Sequence, residues 1–501
     1  MPPYILAVDI GTTSTKTIAV TADGKVLASS TSAYPTYYPK AGHSEQNPNE
    51  ILEAVKKCII QTQQDCKEHQ LLALAFSAAM HSIMAADKNG RPLSPLIIWS
   101  DMRSLEQAND LVNRGMDYKI YEATGTAIHP MSPLCKLMWL HKHDPDLIKK
   151  AFKFLSIKDY VLHHLTGEWI TDYSVASASG LFNIRSLTWN EVSMNEAGIT
   201  IHQLPTAIPT TQIITSIREE VRKELNLPSD LKIIPGASDG CLANLGTNAV
   251  HPSELSLTIG TSGAVRRIVN GPKSDPNQRI FNYLLSKNLV VIGGATNNGA
   301  VLLQWFERIF GMQKGSNSIY EDVEKACQSD SKCEDLIFLP YVLGERAPIY
   351  DSLARGVFFG LDIRHERIHL LRALIEGICF SLLSIAHSLK EVSGDYEVVF
   401  ASGGFIRSPG WVQLLADIFG KEVKVVAQED ASAIGAARLA FEAIGIEEKF
   451  FEKQNEGVIY YPNPKVYDSY QKKFEIFLSL YRNLKQDFYN LSKLEEPGNS
   501  N

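Results

Sequence analysis

Two stretches of this chain combine small residues, hydroxyls and a nearby carboxylate in a spacing suited to a phosphate. The first is Asp9-Ile10-Gly11-Thr12-Thr13-Ser14-Thr15-Lys16. It follows the apolar run Tyr4 to Val8 and precedes Thr17-Ile18-Ala19-Val20, so a strand, a polar turn and a second strand are expected. The second starts at Leu255 to Leu257, passes through Thr258-Ile259-Gly260-Thr261-Ser262-Gly263 and resumes as a strand over Ala264 to Val269. Such turns leave backbone N–H groups and hydroxyls available, and without bulky side chains a phosphate can come close. Their recurrence suggests two related lobes that grip one nucleotide. Neither is a P-loop, because no G-x-x-x-x-G-K-[ST] run is present.

Asp9, at the expected strand end, is the candidate ligand for Mg²⁺ beside the phosphates. Gly11 lets the backbone approach, Thr12, Thr13 and Ser14 offer hydroxyls, and Lys16 supplies positive charge. The competing reading is an ordinary hairpin with a polar turn. Gly236-Ala237-Ser238-Asp239-Gly240 ends another apolar run and surrounds one Asp with small neighbours. An Asp so placed can accept the proton of an attacking hydroxyl; it can equally cap the helix that Cys241 to Leu245 suggests.

A polyol site needs hydrogen-bonding groups for hydroxyls and an apolar face for C–H bonds. Ser77-Ala78-Ala79-Met80-His81-Ser82 and Trp99-Ser100-Asp101-Met102-Arg103 supply that mixture through His81, Trp99, Asp101 and Arg103, although singly each residue is as well explained by packing. Gly403-Gly404 is placed to let an adenine lie against backbone, with Gly435-Ala436-Ala437 as the other wall.

Strands expected over Leu71–Phe76, Leu96–Trp99, Leu289–Ile292 and Val398–Ala401 alternate with helices expected over 50–68, 158–165, 301–310 and 411–419. That alternation, with hairpins, predicts α/β architecture. A boundary is expected near Gly246 to Ser253. Tyr467, Tyr470, Phe474, Phe477, Leu478, Tyr481 and Leu484 keep helical spacing, so the tail should pack as an amphipathic helix on the body, with Glu495 to Asn501 frayed.

At 501 residues the chain is long enough for two cores. A net charge of −7 without basic blocks argues against nucleic acid as a partner. The seven cysteines form no C-x-x-C pair, which fits reduced thiols in a cytoplasmic protein. The first apolar stretch contains Asp9 and lacks a basic leader, so no signal peptide is expected. No apolar run reaches ~18 residues, so no membrane span is expected.

Taken together, these motifs resemble the FGGY family of carbohydrate kinases, within the actin-like and hexokinase-like ATPase superfamily. The resemblance runs from Asp9 to about Gly445. Met131-Ser132-Pro133-Leu134-Cys135-Lys136-Leu137-Met138-Trp139-Leu140 resembles one family signature, and Gly356–Leu361 followed by Ala373–Gly377 resembles a second. It implies two ribonuclease-H-like α/β domains around a central cleft: 1–247 carrying the sugar and the first phosphate loop, 248–455 carrying the nucleotide, and a helical tail over 456–501. It implies Asp239 as catalytic base, Asp9 as organiser of Mg²⁺–ATP, and Met80 and His81 facing the sugar. Gly11, Thr12, Thr13 and Lys16 would lie on the first phosphate loop and Gly260, Thr261 and Gly263 on the second. Gly299 would neighbour the γ-phosphate, and Gly403 and Gly404 would border the adenosine.

Within the family the sequence is most similar to gluconate kinases, through Ser77–Ser82, Thr124–Met131, Asp172–Ala178 and Gly260–Arg266. Xylulose kinases more often read Gln-Met-His-Gly where this chain has Ala79-Met80-His81-Ser82, and glycerol kinases read Arg-Glu where it has Met80-His81. The resemblance therefore implies ATP-dependent conversion of D-gluconate to 6-phosphogluconate, with a pentulose kinase or a silent ATP-binding sugar sensor as alternatives. A gluconate site needs a cation for the carboxylate; Arg103 is the first candidate, with Arg266 and Arg346 behind it, unless these arginines pair with Asp101 or Glu345. A cytoplasmic homodimer without a membrane partner is the family-based expectation.

Overall fold

The computed structural model describes residues 2–312, 316, 318–328, 335–426, 430–447, 449 and 457–494. Cys333 and the Glu495–Asn501 end lie outside the described residues. The chain divides into two compact units. The first comprises 1–250, 268–292 and 430–456, and the second 251–267, 293–429 and 457–501. The sequence division is expected near 247. The packing units differ from it, because two later segments, 268–292 and 430–456, join the first unit.

The first unit is built on a five-stranded sheet with strands in the order Lys232–Ser238, Leu71–Ala78, Tyr4–Ile10, Ser14–Thr21, Val26–Ala33. Tyr4–Ile10 and Ser14–Thr21 form the expected hairpin, pairing Asp9 with Lys16 and Ile10 with Thr15. Tyr4–Ile10 also runs parallel to Leu71–Ala78, which runs parallel to Lys232–Ser238. Alternating side chains send Tyr4, Leu6, Val8 and Ile10 into one buried cluster with the helix Pro48–Asp65, and Ile5 and Ala7 into another with the helix Ala431–Ala443. Asn47 caps the first of these helices and Pro48 opens it.

In the second unit Glu254–Ile259 and the start of Gly263–Asn270 form the other expected hairpin, pairing Ile259 with Gly263 and Ser256 with Arg266. Its first strand lies parallel to Val398–Ser402, which lies parallel to Glu422–Val425. Each unit therefore repeats one motif, a hairpin whose first strand is flanked by two successive parallel strands.

Helix Arg367–Ser393 is the most apolar long helix among the described residues, although Arg372 and Glu376 interrupt it. Its most apolar window has a mean hydropathy of 1.7, and 78% of that window is buried. It is the core helix of the second unit. The tail forms the expected helix, Pro464–Leu494, and buries Phe474 and Phe477 against Phe380 with ring centroids 5.8 and 5.6 Å away. Burial alone would raise the Glu376 carboxyl, but Lys473 from the tail and Arg372 outweigh it and hold it below its usual range.

Helices Asp239–Gly246 and Ala431–Ala443 pack backbone against backbone. A Cβ on Gly435 would lie 2.0 Å from the Leu242 carbonyl oxygen. Gly435, Ala436 and Ala437 are buried in the first unit's core, so they are helix-packing residues and not a nucleotide wall. Gly435→Ala should destabilise the protein by about 1–3 kcal/mol in thermal unfolding, because rigid backbone must shift. Gly445→Ala, with φ +75° but open space around it, should cost only about 1 kcal/mol. Equal effects would show that the helices separate easily.

Candidate active site

Three strand ends of the first unit line up. The sheet register places Asp9 beside Ser77, and Ser77 beside Ala237, two residues before Asp239. Parallel strands present their carboxyl ends on one side, where a ligand meets the loops that leave them. Asp9 is the last polar residue of its strand. Its Oδ2 accepts a 2.7 Å hydrogen bond from the Ser432 hydroxyl, at the start of helix Ala431–Ala443. Its Oδ1 is buried with no hydrogen-bond partner of good geometry among the described residues. Burial raises the Asp9 carboxyl above its usual range, against the lowering influence of Ser77, Ser432 and Lys16.

An orphaned, buried carboxylate oxygen fits a divalent cation. Among the described residues no group of three His, Cys, Asp or Glu forms a metal cage. The donor set suits Mg²⁺, which usually takes one or two carboxylates and completes its shell with water and phosphate.

The hairpin turn is braced from below. The Tyr34 hydroxyl donates to the Gly11 carbonyl at 2.7 Å, and Gln46 Nε2 donates to the Thr12 carbonyl at 2.6 Å. Trp99 Nε1 donates to the Thr12 hydroxyl at 3.0 Å, which joins the turn to the Trp99 loop. Thr13 is exposed, and Lys16 pairs with Asp430 at 2.6 Å. A small cavity between these elements is lined by Gly11, Thr12, Gln46, Met80, Ser82 and Trp99, among others.

His81 adopts φ +67° and is buried. Its Nδ1 faces the Ala178 carbonyl at 2.8 Å. A carbonyl only accepts, so Nδ1 carries a proton and donates to it, and Nε2 lies 3.3 Å from the Tyr283 hydroxyl. Asp101 is fully buried and accepts from Ser44 N and from Arg103 N, Nε and Nη2. Arg103 Nη2 also reaches Glu45 at 2.6 Å, and the guanidinium lies 5.1 Å from the Trp139 ring. The Arg103 side chain is only 5% exposed and already bears two carboxylates, so pairing within the protein describes it better than a free cation.

The residue that the sequence did not single out is Lys136. It lies inside the first signature, on helix Pro133–His143, which Ser132 caps and Pro133 opens. It is fully buried and donates to the His81 carbonyl at 2.6 Å and the Ile98 carbonyl at 2.8 Å. It thereby ties the His81 loop to the one carrying Trp99, Asp101 and Arg103. Burial pulls its pKa down to about 7. A lysine amid Leu134, Leu137 and Met138 was the only available signal.

Asp239 follows a sharp bend. Gly236 has φ +65°, and a Cβ there would lie 1.8 Å from the Phe76 carbonyl oxygen, so only glycine fits. Ser238 ends the strand and Asp239 opens the helix Asp239–Gly246, with its Oδ1 accepting from Gly240 N at 2.7 Å. The bend and the helix start together set the Asp239 carboxylate at a strand end.

In the second unit Gly260 N donates to the Ser262 carbonyl at 2.9 Å, closing the turn. Ala300 N donates to the Gly260 carbonyl and Val301 N to the Thr261 carbonyl, so Gly299 and the helix Val301–Phe310 dock on the hairpin. Gly403 follows the strand Val398–Ser402, whose Ser402 lies beside Thr258 in register. Gly404–Arg407 forms a single 3₁₀ turn before the helix Pro409–Phe419.

Glu345, named above only as a partner for Arg346, organises the Gly299 loop. One carboxylate oxygen accepts from Asn297 N at 3.0 Å and Arg346 N at 2.8 Å. The other accepts from the Thr296 hydroxyl at 2.6 Å, Asn298 Nδ2 and the Ser381 hydroxyl. Burial raises this carboxyl, while these donors favour its charged form.

Comparison with known proteins agrees with this geometry. The N-terminal domain model of the FGGY family of carbohydrate kinases matches residues 4–246, and the C-terminal domain model matches 255–444. The chain belongs to the FGGY family of carbohydrate kinases and is a phosphotransferase with an alcohol group as acceptor. It is 37% identical to a gluconokinase of Bacillus subtilis over 99% of this chain and 97% of that protein. It is 30% identical to a xylulose kinase of Staphylococcus xylosus over 95% of this chain and 99% of that one. The crystal structure of a gluconate kinase from Lactobacillus acidophilus superposes with a TM-score of 0.92 at 34% identity, covering 98% of this chain and all of the other. A xylulose kinase structure from Lactobacillus acidophilus superposes equally well, with a TM-score of 0.92 at 34% identity. The two-domain actin- and hexokinase-like ATPase fold is thus established.

Two substitutions separate the supports. Lys136→Met leaves two buried carbonyls without a donor and should raise the sugar KM about tenfold, with the ATP KM moving less than about twofold. Glu345→Ala should do the reverse, raising the ATP KM by a similar factor, because the 296–299 loop loses its acceptors. Steady-state kinetics with each substrate varied in turn checks both; parallel changes in the two constants would contradict the division.

Proposed function

We propose that this kinase transfers the γ-phosphoryl group of ATP to the terminal hydroxyl of D-gluconate, yielding 6-phosphogluconate and ADP. The observation that supports the chemistry is the register of Asp9, Ser77 and Ala237, which brings Asp9 and the strand leading to Asp239 to the same edge of the sheet, on either side of Leu71–Ala78. The sugar assignment is supported by the full-length likeness to proteins named gluconokinase.

In this reading Asp239 accepts the proton of the sugar hydroxyl as its oxygen forms a bond to the γ-phosphorus and the bond to the ADP oxygen breaks. His81 and Trp99 orient the sugar, and Met80 offers an apolar contact. Arg103 holds Asp101 and the loop around it. Gly11, Thr12, Thr13 and Lys16 on one hairpin, and Gly260, Thr261, Gly263 and Gly299 on the other, are assigned to the phosphates. Gly403 and Gly404 are assigned to the adenosine. Mg²⁺, which Asp9 would hold, supplies charge neutralisation for the triphosphate.

A pentulose is the second reading, favoured by the similarity to xylulose kinases over nearly the whole chain. ADP release with Mg²⁺–ATP against D-gluconate, D-xylulose, L-ribulose and glycerol decides between them. A response confined to gluconate is expected. A ketopentose response would replace the substrate and keep the kinase. Asp239→Asn should lower kcat about 10²–10⁴-fold while ATP binding persists, and near-normal turnover would remove Asp239 from the role of base. Asp9→Asn should raise the Mg²⁺ concentration needed for half-maximal rate, and an unchanged Mg²⁺ titration would contradict its assignment.

A further inference from the structure

The segment Asp172–Ala178 has no part in the reaction described so far, yet it touches both ends of the first unit's site. Asp172 is fully buried and forms an ion pair with the equally buried Lys158 at 2.7 Å. Lys158 Nζ also donates to the Ala237 carbonyl at 2.8 Å, two residues before Asp239. The other Asp172 oxygen accepts from Ser174 N at 2.9 Å and Val175 N at 3.0 Å, capping the short helix Tyr173–Ser177. That cap fixes Ser174, whose hydroxyl accepts from Ser238 N at 3.1 Å and lies 3.0 Å from the Ser238 hydroxyl. From the far end of the same segment the Ala178 carbonyl holds His81 Nδ1. In between, Ser177 Oγ accepts from Leu284 N at 2.9 Å, next to the Tyr283 that faces His81 Nε2.

We propose that Lys158, Asp172 and Ser174 are positioning residues for Asp239: they anchor the Ala237–Ser238 backbone so that the base stands at a fixed place relative to the sugar-facing His81. A buried ion pair is a costly choice if stability alone is at stake, since apolar residues of like volume serve as well or better. Here each member makes a further hydrogen bond to the segment that carries Asp239 or to its support. Small displacements of a base from its hydroxyl are expensive in rate, because proton transfer needs hydrogen-bond geometry. Ala237 and Ser238 follow Gly236, the point where the strand bends, so without anchors the base would inherit any freedom of that bend.

The inference rests on Asp239 as the base, and three variants keep the two claims apart. Ser174→Ala is the mild test; Asp172→Asn keeps the cap oxygen and removes the charge facing Lys158; Asp239→Asn tests the reading beneath. Kinetics use full-length protein and whichever panel sugar drives ADP release. Rates are expressed per ATP-binding site counted by titration, which removes any unfolded fraction. Ser174→Ala should lower kcat about tenfold with both KM values within about twofold, and Asp172→Asn should lower it further. If Asp239→Asn is inactive but both other variants keep kcat within about twofold of the unsubstituted enzyme, the positioning role is wrong and the base stands. A loss confined to KM, or one that vanishes when rates are counted per binding site, overturns it likewise. If Asp239→Asn retains turnover, the base and the inference fall together.

Discussion

Adjacent parallel strands end on the same side of a sheet, and their register decides which residues become neighbours there. In the first unit Tyr4–Ile10, Leu71–Ala78 and Lys232–Ser238 pair so that Asp9, Ser77 and Ala237 sit side by side. A slip of one residue would turn the Asp9 side chain to the opposite face, because strand side chains alternate. The register is protected by the burial of both faces: Val8 and Ile10 serve one core, Ile5 and Ala7 the other. Hydrophobic packing on two sides therefore fixes where the carboxylates stand.

Polar groups in this site are supported by buried polar groups behind them. Lys136 joins the His81 loop to the Trp99 loop, Glu345 gathers five donors around the Gly299 loop, and Lys158 with Asp172 braces the strand that leads to Asp239. Burying each charge is unfavourable by several kcal/mol before its partners are counted. What each provides in return is directional: a hydrogen bond fixes a carbonyl or an amide in a way apolar contact does not. The same logic accounts for Arg103 within the protein. Its guanidinium already has Asp101 and Glu45 at charge-assisted distances, and releasing it would expose Asp101 as an unpaired buried carboxylate.

The substrate depends on fewer groups than the catalysis does. The transferred phosphoryl group and an acceptor hydroxyl are common to kinases for different sugars, so the phosphate chemistry does not discriminate between them. In the proposed function, discrimination falls to side chains that would meet the rest of the sugar, those of the loops around His81 and Trp99. Gluconokinases and xylulose kinases both align with nearly the whole chain, at 37% and 30% identity, so the reaction class is common to the two likenesses and the sugar is not.

By itself the sequence determined what local chemistry can reveal. The two hairpins were legible because Gly and Thr interrupt apolar runs at Gly11–Thr13 and Gly260–Gly263, and a polar turn between strands needs no distant partner to be recognised. Asp239 was legible as an isolated carboxylate among small residues. The tail helix was legible because Phe474 and Phe477 keep helical spacing. The tertiary structure decided everything that depends on residues remote in sequence. It recruited Ser432 to Asp9 and Asp430 to Lys16, and moved Gly435-Ala436-Ala437 from a supposed ligand wall into a helix interface. It assigned Arg103 to Asp101 and Glu45, and gave Lys136, Glu345, Lys158 and Asp172 their tasks. The reason is physical: a side chain's type limits which bonds it can make, but burial and the partner across the fold determine which of them it does make.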